Sequence, residues 1–241
     1  MLILKELRIL ESKDALNAIP HAKVLINTIN AHSYNTAQKD SLFAEALRKG
    51  DVLIPDGISI VKACRWLKAK SRPTERIAGW DLFRFEMQRL NKTGGKCFFM
   101  GSSPKVLALI AQRAAADYPN IVVESYSPPY KPEFTKADND AIIRAINEAN
   151  PDLLWIGMTA PKQEKWAYSH WDELHIHCHV GTIGAVFDFF AGTYRRAPQW
   201  WQRHGLEWLY RLCKEPRRMW RRYVLGNPLF LWNIFKENLS K

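Results

Sequence analysis

Short apolar runs alternate with stretches of helical periodicity along most of this chain, and that alternation limits the fold more than any other feature. Ala22–Ile29 (AKVLINTI), Asp51–Ile54, Lys96–Met100, Ile121–Glu124, Leu153–Gly157 and His175–Gly181 read as strands. Helices are expected between them, around Ala37–Lys49 and over Pro104–Asp117, Lys136–Ala149 and Lys162–Trp171. Strand–helix alternation at this spacing predicts an α/β fold, a mostly parallel sheet with helices on both faces. Ligands of such sheets sit at the carboxyl ends of strands. The loops at Thr28–Asn30, Pro55–Gly57, Gly101–Pro104, Met158–Pro161 and Thr182–Gly184 are therefore the places to look for chemistry.

The pattern changes after Gly192. Helices are expected over Gly205–Leu212, Arg217–Val224 and Leu229–Asn238, with a break at Pro216. The division expected is an α/β core over residues 1–195 and a basic helical appendage over 196–241. The chain of 241 residues carries a net charge of +11, and +8 of it falls from Arg195 onward. Five of the ten tryptophans lie there too, so the tail asks for an anionic partner: a membrane surface, an anionic ligand or a nucleic acid. No run reaches the eighteen or so apolar residues of a membrane span. The N-terminus mixes charges into its apolar residues and has no small-residue cleavage site, unlike a signal peptide. Four widely spaced cysteines without a CxxC suggest neither a disulfide framework nor a zinc site, and a cytosolic protein is the simplest reading.

Several constellations sit at the expected sheet edge. Pro55-Asp56-Gly57 follows a strand directly. It reads either as a plain tight turn or as a turn that presents Asp56 as a general base. Thr28 and Asn30 end the preceding strand and point towards the same crevice. Gly101-Ser-Ser-Pro opens a helix that Ser103 can cap, leaving N–H groups either for solvent or for an anion. Gln163 begins a helix after a strand, and reads either as part of a solvated first turn or as a hydrogen-bonding partner for a polar ligand. Asp188, inside Phe187-Asp-Phe-Phe, is expected to be buried and to need a partner. His175, His177 and His179 alternate as on one strand face, where a structural role is preferred to a metal site because adjacent imidazoles splay.

Taken in order, these blocks resemble the WecG/TagA/CpsF family of bacterial glycosyltransferases. The resemblance rests on Thr28-Ile-Asn30, Pro55-Asp-Gly57, Glu75-Arg76-Ile-Ala-Gly79, Met100-Gly101 and Pro161-Lys-Gln-Glu-Lys-Trp166. It continues through Val180-Gly-Thr-Ile-Gly-Ala-Val-Phe-Asp188, Ala191-Gly192, Arg196-Ala-Pro198, Gly205-Leu-Glu-Trp-Leu-Tyr-Arg-Leu212 and Glu215-Pro216, and so covers nearly the whole chain. The resemblance implies a Rossmann-like core and a membrane-facing appendage that helps complete the active site. It also implies an inverting transfer from a UDP-sugar to an undecaprenyl-pyrophosphate-linked saccharide. The donor sugar would be N-acetylmannosamine, its uronic acid or a glucose-type sugar, and the product would serve a surface polysaccharide or cell-wall polymer. No metal or other cofactor is implied. Asp56 matches the base and Thr28 a catalytic positioning residue. Asn30, Arg76, Gly101, Gln163 and Asp188 fall on the substrate-binding blocks, and Arg211, Arg218 and Arg221 match appendage arginines that approach the donor diphosphate.

The resemblance also implies a place on the inner face of the cytoplasmic membrane, held there by the anionic leaflet, with no nucleic acid as partner. A homo-oligomer is compatible with it. Two other classes compete on the residues alone. A nucleic-acid-binding module would use the Arg/Trp tail and bind in a salt-sensitive way. A nucleotide-dependent oxidoreductase would use the same kind of sheet but lacks the GxGxxG turn.

Overall fold

The computed structural model describes residues 1–239. All six expected strands are present: β1 (Val24–Ile29), β2 (Val52–Pro55), β3 (Gly95–Gly101), β4 (Ile121–Tyr126), β5 (Leu153–Gly157) and β6 (His179–Thr182). They form one sheet in the order β2-β1-β6-β5-β3-β4, and every neighbouring pair is parallel. Parallel strands bring all their carboxyl ends to one edge, so the loops singled out above share that edge.

The core helices are α1 (Ala31–Ala37), α2 (Ser41–Lys49), α3 (Ile58–Trp66), α4 (Gly79–Thr93), α5 (Pro104–Asp117), α6 (Lys136–Ala149), α7 (Lys162–Ser169) and α8 (Ala185–Ala191). Both faces of the sheet are covered, as the apolar strand runs require. Side chains alternate across the pleat. Cys97, Phe99 and Trp155 pack with Phe83 of α4, Ile110 of α5 and Phe187 of α8. Phe98, Met100, Leu154 and Ile156 pack with Ile146 of α6 and Trp166 of α7. A third cluster joins Ile29 and Leu53 to Tyr34, Phe43 and Ile60 from α1, α2 and α3.

Three local expectations change. The single helix expected around Ala37–Lys49 is two helices, each with its own cap. Asn30 accepts hydrogen bonds from the backbone of His32 and Ser33, and Asp40 accepts one from Phe43 N. The last strand starts at His179 rather than His175. His175 and His177 lie exposed ahead of it, so the three imidazoles do not share a strand face. His179 is buried, with Nδ1 3.0 Å from Glu86 Oε1 and Nε2 2.9 Å from the Pro20 carbonyl, which ties α4 to the start of β6. Helix α4 itself was not foreseen from the sequence.

The tail contains α9 (Gln199–Arg203), α10 (Glu207–Lys214), α11 (Pro216–Trp220), a π-helical turn over Arg221–Leu225, and α12 (Gly226–Leu239). The last three run on without the expected gap before Leu229. The wide turn shifts the backbone ladder just ahead of Pro228, which has no N–H to contribute. Helix α12 is packed onto the core. Phe230 and Ile234 enter the third cluster, and the Phe230 ring meets Tyr34 edge-on at 5.5 Å. Asn35 Nδ2 donates to the Gly226 carbonyl at 2.7 Å, and Asn233 Nδ2 to Asn35 Oδ1 at 3.1 Å.

Glu237 finishes the docking. It accepts from Leu4 N at 3.0 Å, Lys5 N at 2.7 Å and the Tyr34 hydroxyl at 2.6 Å. Burial and this carboxylate push the Tyr34 phenol well above its usual range. Replacing Glu237 by alanine strands three donors, and the expected loss in urea unfolding is about 2 kcal/mol. Phe230→Ala, which opens a cavity, should cost about 3 kcal/mol.

Candidate active site

Two backbone hydrogen bonds set the position of Asp56. Asp56 N donates to the Ile29 carbonyl at 2.9 Å, which pins the turn after β2 to the end of β1. Ile77 N donates to the Pro55 carbonyl at 3.0 Å and brings Arg76 alongside. Arg76 Nη2 then lies 3.6 Å from Asp56 Oδ1 and 2.8 Å from Glu207 Oε2. Glu207 opens α10, and its other oxygen is 3.5 Å from Arg196 Nε. The cluster joins the core to the tail.

Burial pushes the Asp56 carboxyl above its usual range and the Glu207 charge pushes the same way, while Arg76, Arg211 and Arg196 oppose both. Glu207 goes the other way. Burial alone would raise it, but Arg76 and Arg196 hold it below its usual value. The Nε atoms of Arg76, Arg211 and Arg222 are buried without a hydrogen-bond partner among the described residues. Buried donors left without acceptors are costly, and a ligand rich in oxygen acceptors would relieve that cost.

The tail arginines divide. Arg211 lies 5.9 Å from the centroid of the Phe189 ring, on the same side as Asp56, whose charge it feels. Arg218 is largely exposed and pairs with Glu215 at 2.7 Å, and Arg221 is exposed and stacks on Trp220. Arg211, Arg218 and Arg221, which the resemblance places together, are not brought together. The chain breaks helical phase at Glu215 and widens into a π turn at Arg221. Arg222 faces inward instead. Burial lowers its basicity, and Asp56 and Arg211 are among the charges it feels. Nothing in a regular helical spacing distinguishes Arg222 from Arg221; the π turn does. His32, at the start of α1, is lowered to about 4 by burial and by Arg222, so it is neutral at physiological pH.

Other expected site residues have internal work. Thr28 is half-buried in β1 beside Ile54, at the sheet edge next to Asp56. The Asn30 side-chain oxygen is committed to capping α1 through His32 N and Ser33 N. Gly101 has φ +121°, and a Cβ there would stand 2.3 Å from the Gly157 carbonyl oxygen, so glycine is required by the close approach of β3 to β5. Ser103 caps α5 as expected. Asp188 is exposed rather than buried; its Oδ1 accepts from Thr193 Oγ1 at 3.3 Å, and its carbonyl accepts from Thr193 Oγ1 and Tyr194 N, each at 3.2 Å. It lies on the outer side of α8, whose neighbouring Val186, Phe187 and Phe190 turn inward.

Gln163 is buried and works as a staple. Its Oε1 accepts from Met158 N and Gly184 N, each at 3.1 Å, and its Nε2 donates to Glu164 Oε1 at 2.9 Å. It fixes the β5 and β6 loops to each other. Among the described residues no group of three or more His, Cys, Asp or Glu is arranged to hold a metal ion.

Burial raises Glu164 from 4.5 to about 7. The folded state therefore binds its proton more tightly than the unfolded chain does, and stability is lost as pH rises from 4.5 towards 7. The loss expected is about 3 kcal/mol, and Glu164→Gln should flatten it in urea unfolding compared at pH 5 and pH 8.

Comparison with known proteins bears on this site. The chain is 31% identical over 217 residues to the N-acetylglucosaminyldiphosphoundecaprenol N-acetyl-beta-D-mannosaminyltransferase of Bacillus subtilis (strain 168), covering 90% of this chain and 81% of that one. It is 30% identical over 213 residues to the protein of the same name from Bacillus spizizenii (strain ATCC 23059 / NRRL B-14472 / W23), covering 88% and 79%. The sequence pattern described as "Glycosyl transferase WecG/TagA/CpsF family" matches residues 5–241. The chain belongs to the WecG/TagA/CpsF family of glycosyl transferases.

Proposed function

We propose that this glycosyltransferase moves an N-acetylmannosamine-type sugar from a UDP-sugar, with inversion, onto a saccharide carried by undecaprenyl diphosphate, and that Asp56 is the general base. The observation that carries the reading is the Asp56 carboxyl, raised by burial and surrounded by arginines with unpartnered buried Nε atoms. The relatives' names, which specify an N-acetylmannosaminyl group and a diphosphoundecaprenol acceptor, support the choice of sugar and acceptor.

Asp56 takes the proton of the acceptor hydroxyl as its oxygen forms a bond to the sugar's C1. The bond from C1 to the diphosphate breaks on the opposite side, and UDP leaves with the electron pair. Arg211 and Arg222 supply fixed positive charge to the departing diphosphate, work that other transferases assign to a divalent cation. Thr28 and the Asn30 amide hold the acceptor at the sheet edge. In this reading EDTA leaves the rate unchanged.

A raised carboxyl suits the base, because proton abstraction is most effective when the base titrates near the working pH. Asp56→Asn should fold, bind UDP by calorimetry and release UDP at least 100-fold more slowly in the presence of acceptor. Wild-type turnover in that variant removes Asp56 from the mechanism. In the wild type the rate should fall as pH drops through a value above the ordinary aspartate range, because protonated Asp56 cannot accept.

The tail supports a place on an anionic membrane surface. Helix α12 uses Phe230, Asn233, Ile234 and Glu237 to dock, and turns Leu231, Trp232, Phe235 and Leu239 outward, each more than 40% exposed. A helix apolar on its outer face is poorly suited to water and well suited to a lipid interface. No helix among the described residues is long and apolar enough to cross a membrane. The exposed Arg217 and Arg221 add attraction of about 1 kcal/mol each near an anionic leaflet. Changing both to glutamine should weaken binding to phosphatidylglycerol vesicles roughly thirtyfold in a flotation assay, with little change on neutral vesicles.

A further inference from the structure

Glu207 is the unexplained charge of the site. Arg76 is the basic side chain paired with Asp56, yet its Nη2 is 2.8 Å from Glu207 and 3.6 Å from Asp56. Arg196 Nε, at 3.5 Å, holds the Glu207 carboxylate from its other side. The position is built. Gly205 takes φ +69°, and Leu206 N donates to the Trp201 carbonyl at 2.8 Å, so α10 starts with Glu207 directed at Arg76. Little of the Glu207 side chain is exposed, at 12%, so the pair is not one that water screens away.

We propose that Glu207 is a positioning residue that draws Arg76 off Asp56 and so keeps the Asp56 carboxylate basic. The proposal rests on Asp56 being the base and adds what sets its strength. A guanidinium fully engaged with Asp56 would stabilise the carboxylate and weaken its pull on an acceptor proton. Shared with Glu207, the same guanidinium gives only part of its charge. The tail thus adjusts the chemistry of a residue carried by the core.

The other groups around Asp56 are mostly guanidiniums. Arg196, Arg211 and Arg222 act on it or beside it, and Asp81, which acts on Arg76, accepts from Ala78 N at 2.9 Å. His32, lowered to about 4 by burial and Arg222, is largely neutral above about pH 5. The signal to follow is therefore the Asp56 carboxyl carbon itself.

The test is a carboxyl-carbon NMR titration of the full chain without donor or acceptor, with the Asp56 signal assigned by its disappearance in Asp56→Asn. Glu207→Gln, an isosteric change, should move the Asp56 midpoint down by roughly one pH unit. Glu207→Asp, one methylene shorter but still charged, should move it the same way by less, and it carries the test if the glutamine variant does not fold. In UDP-release assays the acid limb of kcat/KM should shift down with the midpoint, and the plateau should fall roughly threefold, and by no more than about tenfold, as the base weakens. A midpoint that stays put or rises in a folded variant overturns the proposal, even if the rate falls, because loss of α10 docking alone would explain that. If instead Asp56→Asn keeps its turnover while the midpoint shifts as expected, the Glu207–Arg76 contact stands and the assignment of Asp56 as base fails.

Discussion

One guanidinium shared by two carboxylates ties this molecule together. Arg76 comes from the loop ahead of α4, Asp56 from the end of β2 and Glu207 from the tail. Each is held by backbone hydrogen bonds of its own element, so the ionic cluster is a place where three separately built pieces must agree. Buried charge needs such agreement, because removing one partner leaves another charge out of water without compensation. The sheet supplies the geometry by bringing β1 and β2 to the same edge in register, with Thr28 beside Ile54 and Ile29 beside Pro55. The tail supplies the rest, through Glu207, Arg211 and Arg222.

The tail also has a second attachment, on the opposite side of its function. Helix α12 packs Phe230 and Ile234 into the cluster below α1, and α1 begins at Asn30, next to the site. Leu231, Trp232 and Phe235 thus face outward from a helix whose inner face is packed on α1. The boundary expected after residue 195 marks a change in sequence character, and the C-terminal helix beyond it is packed as core. Deleting residues 196–241 would expose Tyr34 and Cys64 as well as removing the arginines, which is why single exposed positions are the better probes of lipid binding.

Most of the sheet was legible because strands buried on both faces must be apolar at every position, and such runs stand out. Helix α4 was hidden for a physical reason. Its inward row is Gly79, Leu82, Phe83, Glu86, Met87 and Leu90, a regular helical pattern interrupted by a charge. Glu86 is tolerated there because Arg89 and His179 meet it, and His179 lies ninety-three residues further along the chain, beyond local pattern reading. Asp188 failed in the opposite sense, since a charge between phenylalanines looks buried in a linear reading but faces outward on a helix. The place of Asp56 at the sheet edge was legible from its turn. Arg222 was not, because a π turn changes which of two adjacent arginines points inward, and the sequence has no simple signal for that.

The charges around Asp56 do not balance within the protein. The guanidiniums of Arg76, Arg196, Arg211 and Arg222 stand around the carboxylates of Asp56 and Glu207, and Asp81 adds a third carboxylate that acts on Arg76. Mutual repulsion shows in Arg222, whose basicity is reduced first by burial and then in part by Arg211 and Arg218. A surplus of buried cations is expensive to maintain and would be lost in a site whose only duty was structural. In the proposed reaction a diphosphate donor would carry the complementary charge in a small volume and offer acceptors for the buried Nε donors, so its binding would relieve a cost that folding incurred. That relief would grow as the bond to the sugar breaks and charge accumulates on the leaving oxygen, and would then act on the transition state rather than on the bound donor alone.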